Sequence, residues 1–147
     1  MSIDVINDLA LRLVADDYSE GHVPSQPGPT STARALAIIH LAAHDAYARV
    51  TGTFPPHLGT VPAHPGGGTD ADGAVAVLGA GYRAAEILYP DPDFTDAIAA
   101  DRATHAGGAS PALLDYGAQV ADAWLAHRAT DGSAEPIEDR HYPSNAP

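Results

Sequence analysis

His40 and His44 stand four residues apart in RALAIIHLAAHDAYARV, residues 34–50, and Asp45 follows the second histidine directly. On a helix this spacing turns both imidazoles to one side. Together with the carboxylate they form a ligand set suited to zinc or another divalent ion. The zinc-protease version of such a helix carries a glutamate directly after the first histidine as general base, and here Leu41 occupies that place. The alternative is packing: His40 and His44 at a helix interface, their ring nitrogens bonded to backbone or carboxylate partners, as buried polar groups ordinarily are. The residues favour packing over a metal role for His40, His44 and Asp45.

No other constellation is stronger. His22, His57, His64, His105, His127 and His141 fall mostly in loop-like sequence and show no ligand spacing. A Ser-His-Asp arrangement needs its members to meet only in space, but no strand–GxSxG–helix elbow nominates a nucleophile. GPTSTAR and PGGGTDAD are glycine-rich, yet neither leads into the GK[ST] of a phosphate loop. Asp91, Asp93 and Asp96 have the look of a calcium loop, but the neighbouring prolines and the missing glutamate at the twelfth position break the pattern. Trp124 and Tyr82 read as core aromatics rather than cofactor platforms.

The elements that must position these residues follow from composition and periodicity. A chain of 147 residues fits one domain and buries roughly 70% of its unfolded surface on folding. Its formal net charge is −12, with seven arginines and no lysine, a balance that repels phosphate backbones and anionic lipid and so argues against nucleic acid or membrane partners. The absence of cysteine excludes disulfides and thiolate metal sites. The N-terminal MSIDVINDLALRLVADD lacks a basic leader region, and no segment approaches the 18 apolar residues of a membrane span. A cytoplasmic location is the default expectation.

Apolar residues at helical spacing predict five helices, at about 2–17, 31–51, 71–89, 93–106 and 111–129. Ser2 is the expected cap of the first, one of Thr30, Ser31 or Thr32 of the second, Asp70 or Asp72 of the third and Asp93 of the fourth; Ser110-Pro111 opens the fifth. The second helix is apolar on nearly every face and is therefore expected at the centre of a bundle. Gly79 and Gly81 in the third cost roughly 1 kcal/mol each in helix propensity, which points to close approach by another helix. Residues 18–29 and 51–73 are proline- and glycine-rich connectors, the latter a long surface loop. With no alternating strand pattern, the expected fold is all-α: a helical bundle over 1–132, followed by a proline-rich acidic tail at 133–147.

Three segments in order, PGPTSTARALAIIHLAAHDAYARVTGTFPPH, AVAVLGAGYRAAEILYP and YGAQVADAWLAHRATDGS followed by RHYPSNAP, resemble the N-terminal helical half of bacterial vanadium-dependent haloperoxidase-like proteins, relatives of the type 2 phosphatidic acid phosphatase superfamily. The resemblance covers most of the chain. It implies half of a larger helical domain, with His40 and Asp45 on a structural helix. It also implies a vanadate cofactor held by lysine, arginine, a Ser-Gly-His segment and a second histidine, all in a C-terminal catalytic half. No lysine, Arg-Pro pair, Ser-Gly-His or Arg-x-x-x-Gly-x-His occurs here, so no catalytic, cofactor-binding or metal-ligating residue is assigned to this chain. A buried oxyanion without clustered cations and donors would be strongly destabilised in any case.

The expectation is a scaffold and pocket wall for peroxide-dependent halide oxidation, inactive without its C-terminal partner. Three alternatives stand beside it: phosphatase-type activity of the same superfamily, a non-catalytic helical interaction module, and a metal-binding helical protein using His40, His44 and Asp45. Homo-oligomerisation stays open. A half-protein is expected to leave apolar helix faces exposed when alone.

Overall fold

A computed structural model of the chain describes residues 1–133. The tail expected at 133–147, with His141 and RHYPSNAP, therefore lies outside the described residues apart from Ser133. The described residues form five helices, α1 (Ser2–Asp17), α2 (Gly28–Thr51), α3 (Asp70–Leu88), α4 (Pro92–Ala106) and α5 (Pro111–Arg128), with no strand among them. The fold is all-α. No helix among the described residues is long and apolar enough to cross a membrane.

Several helix starts differ from expectation, each for a local reason. The α1 cap is Met1, without a side-chain bond, and Ser2 is the first helical residue. The second helix begins at Gly28, with Pro27 as N-cap. Pro29 fits the first turn because it lacks only an N–H that has no helical partner there. The Thr32 hydroxyl is bonded to the Gly28 carbonyl, 3.1 Å away, instead of capping. Thr69 caps α3 and Asp72 bonds back to its N–H, a reciprocal capping box in which Asp72 is the third helical residue and not the cap. The Thr69 hydroxyl and N–H hold the Asp72 carboxyl below the usual carboxylate range. In α4 the cap is Asp91, accepting from the Asp93 N–H at 2.9 Å, so Asp93 is the capped residue.

The centre of the bundle is α3, not α2: all four other helices pack on it. The reason lies in its small residues. Gly79 lies so close to α5 that a Cβ there would sit 2.2 Å from the Leu114 carbonyl oxygen, and Gly117 of α5 meets α3 equally closely, its Cβ falling 2.1 Å from the Ala76 oxygen. Gly81 makes room for Ile6 of α1. The close approach expected at Gly79 and Gly81 is thus observed at both. Tyr82, wholly buried, crosses to α4 through a 2.9 Å bond to Asp101, and Arg12 of α1 reaches the other oxygen of the same carboxylate. Ala37, in contrast, leaves part of α2 exposed.

Two wholly buried aspartates organise the connectors. Asp17, the last residue of α1, accepts the successive backbone N–H groups of Ser25 and Gln26 at 2.7 and 2.9 Å, so the proline-rich segment between α1 and α2 is ordered. Asp45 does the same for the second loop. Leu58 and Val61 of that loop are buried in the core, and Tyr116 of α5 donates to the Pro62 carbonyl at 2.8 Å. The loop runs largely over the surface, as expected, but is pinned to the bundle by these buried residues and bonds.

Tyr89 ends α3 fully buried, and its hydroxyl has no hydrogen-bond partner among the described residues. Burial, with Asp17 and Tyr18 nearby, pushes its pKa up to about 12. Since the folded value exceeds the ordinary 10, the associated stability is complete below pH 10 and is lost as pH rises through about 12. Tyr89→Phe removes an unsatisfied buried hydroxyl and is expected to raise stability by about 1 kcal/mol and to soften the alkaline loss. Urea unfolding at pH 8 and at pH 11 measures both effects.

Candidate functional site

The chemistry-bearing residues of the described chain converge where α2 passes the second loop. Helix α2 is long enough to place Asp45 in its buried half, and Pro55-Pro56 stiffen the chain that returns over it. The Asp45 carboxylate then takes two successive loop amides, His57 N–H on Oδ1 at 2.7 Å and Leu58 N–H on Oδ2 at 2.9 Å. Trp124 of α5 donates its indole N–H to Oδ2 at 3.0 Å. Burial pushes the Asp45 carboxyl up, but the Leu58 and His57 amides, His44 and Trp124 outweigh it and leave the group below the usual carboxylate range. It is an ionised carboxylate fixed in orientation by donors from three parts of the chain.

Two histidines complete the site. His44 Nδ1 lies 3.0 Å from Asp45 Oδ1 and 3.0 Å from His57 Nδ1. His57 Nδ1 is 3.4 Å from the same carboxylate oxygen. Among the described residues this is the one set of three histidine or carboxylate groups whose donor atoms converge closely enough for a shared ion. The carboxylate is sealed from solvent, whereas the rings of His44 and His57 are 37% and 56% exposed. The site is therefore anchored inside and open outside.

His40 does not join it. Its Nδ1 lies 2.8 Å from the Leu36 carbonyl and its Nε2 3.3 Å from Asn7 Oδ1, so both nitrogens are engaged in packing. Of the residues weighed as an alternative ligand set, the structure brings only His44 and Asp45 together, and His57 joins them. Sequence spacing does not select His57, which stands 12 residues beyond Asp45 in an irregular loop. Trp124 is core, as expected, but with a polar duty its helical position does not reveal.

The remaining candidates disperse. His22 packs edge-on against Phe94, His64 lies against Tyr116 and His127 against Trp124, while His105 bonds to Asp101 one turn away. Asp91 is spent as a helix cap, and Asp91, Asp93 and Asp96 do not converge on a point.

An oxyanion such as vanadate does not suit the described residues. Arg12, Arg34, Arg83, Arg102 and Arg128 are each held by a carboxylate. Arg49 has no carboxylate partner among the described residues; it lines a cleft of about 450 Å³ with Phe54, His64 and Gly66. One guanidinium is too little charge for a multiply charged anion.

Beside the cluster runs a mainly apolar groove of about 420 Å³, bounded by Met1 and Ile3 of the N-terminus, His40, His44 and Tyr47 of α2, and Val77 of α3. The two histidines of the i, i+4 pair do share this face, as their spacing requires, although only His44 reaches Asp45.

Fold and site together define an all-α bundle with a His–Asp–His cluster anchored from its core. Comparison of the chain with protein-family models, curated proteins and solved structures finds no match.

Proposed function

We propose that this chain is the N-terminal helical portion of a vanadium-dependent haloperoxidase-like protein, supplying scaffold and pocket wall to a partner half that carries the vanadate-binding residues. The reading rests on the ordered resemblance of three segments. What supports it is that these segments are tied to one another by their own polar side chains. Arg34 of the first bonds Asp131 of the third at 2.7 Å and the Arg128 carbonyl at 2.8 Å, Asp45 of the first takes the indole N–H of Trp124 in the third, and α3, the second, packs against both. Arg34 and Ser133 hold the Asp131 carboxyl well below the usual carboxylate range. Arginines committed in this way serve the frame.

In the assembled protein the partner half binds and polarises the oxyanion, where preorganised donors and charge stabilise the developing transition state; this chain shapes the surrounding wall. Alone, with vanadate, peroxide and bromide, it is expected to give no bromination of monochlorodimedone. Mixing with a haloperoxidase-like C-terminal half is expected to give a complex and restore turnover. Turnover by the chain alone, or two halves that do not associate, would contradict the reading.

A further inference from the structure

We infer that His44, Asp45 and His57 form a binding site for a borderline-soft divalent transition-metal ion such as Zn²⁺, taken by His44 Nδ1, His57 Nδ1 and Asp45 Oδ1. The inference does not rest on the haloperoxidase reading, which places Asp45 on a structural helix and assigns no metal ligand to this chain.

The donor spacing carries it. The three atoms form a triangle with sides of 3.0, 3.0 and 3.4 Å. An ion about 2.0–2.1 Å from each ligand in a tetrahedral site holds its ligands about 3.3 Å apart, and for this triangle it would stand about 1 Å out of the donor plane. The side chains thus need to separate by only a few tenths of an ångström to receive it.

Charge points the same way. Two imidazole nitrogens facing each other at 3.0 Å beside a carboxylate oxygen leave one point shared by three potential donor atoms, which is filled either by the N–H of one Nδ1 tautomer or by a metal ion that takes all three lone pairs. The buried, ionised Asp45 and a chain net charge of −12 attract a divalent cation to that point. Two imidazoles and one carboxylate select zinc, nickel or copper over magnesium, which demands an oxygen-rich octahedral shell.

The surroundings are those of a supported ligand set. Asp45 is locked by the Leu58 and Trp124 donors on Oδ2 and by the His57 N–H on Oδ1, the outer hydrogen bonding that fixes a metal-bound carboxylate. The exposed rings of His44 and His57 leave the outer side of the site open, so three protein ligands leave a position for water or another ligand. Because His57 belongs to the loop and His44 to α2, a bound ion would clamp the loop to the helix.

The test is calorimetric titration of the untagged, chelator-treated full chain with ZnCl₂ and, separately, MgCl₂, together with metal content by mass spectrometry. One zinc per chain is expected, with no saturable magnesium uptake. His57→Ala keeps its backbone N–H to Asp45 and removes a ring that is 56% exposed, so it is expected to remain folded by circular dichroism and bind zinc roughly tenfold or more weakly. His44→Ala should behave likewise, and His40→Ala should bind as the parent does. Absence of saturable zinc binding, or parental affinity in folded His57→Ala, would overturn the assignment.

Discussion

Asp45→Ala is expected to be the most damaging polar substitution in the chain, destabilising it by about 3–5 kcal/mol. The carboxylate is wholly buried and accepts from His57 N–H, Leu58 N–H and Trp124 Nε1–H. Truncation leaves three donors in a site shut to water, and each unsatisfied buried donor costs about 1–3 kcal/mol before relaxation. Asp45→Asn keeps the shape but offers one acceptor oxygen in place of two, so an intermediate loss is expected. Urea unfolding measures the total. Hydrogen exchange measures its origin: the His57 and Leu58 amides should lose protection even where the helices hold. His57→Ala, which removes only an exposed ring, is expected to leave stability within about 0.5 kcal/mol in metal-free buffer. A comparable loss in both variants would mean that the ring, not the carboxylate, holds the loop.

Gly117→Ala is the second large effect. On an isolated helix the change would gain roughly 1 kcal/mol in propensity. Here the new Cβ would fall 2.1 Å from the Ala76 carbonyl oxygen and 2.7 Å from the Ala80 nitrogen. Both obstacles are backbone of α3, so relief requires the two helices to separate rather than one side chain to rotate. Overpacking of this kind costs about 1–3 kcal/mol or more, and since every other helix leans on α3 the displacement propagates. We expect a net loss of about 3 kcal/mol, seen as a lower urea midpoint, with Gly79→Ala close behind. Gly108→Ala, where a Cβ meets nothing within 4 Å, is the control and should be nearly neutral. A stabilised Gly117→Ala would show that α3 and α5 do not cross as closely as described.

The apolar period was enough to read the helices, because burial of a stripe is a local pattern with a fixed spacing. Helix starts were less legible: Asp70 and Asp72 stand out as caps of α3, and only the reciprocal bond shows that Thr69 is the cap and Asp72 the third helical residue. The centre of the bundle was misread for a related reason. Apolarity made α2 look innermost, whereas closeness of approach, set by Gly79 and Gly117, put α3 there. At the site, Asp45 and His44 stood out as neighbours on one helix. His57 and Trp124 did not, because a loop amide pair and an indole from α5 reach the carboxylate through tertiary packing that no linear spacing encodes.

The scaffold reading is tested most directly by mass analysis of the complex purified under native conditions, weighed intact and again after denaturation, with vanadium measured on the same sample. A second polypeptide bearing lysine, arginine and Ser-Gly-His motifs is expected, with vanadium following that chain. A single species of about 15.1 kDa, free of vanadium and unaccompanied, would contradict it and leave a helical module that works without a catalytic half.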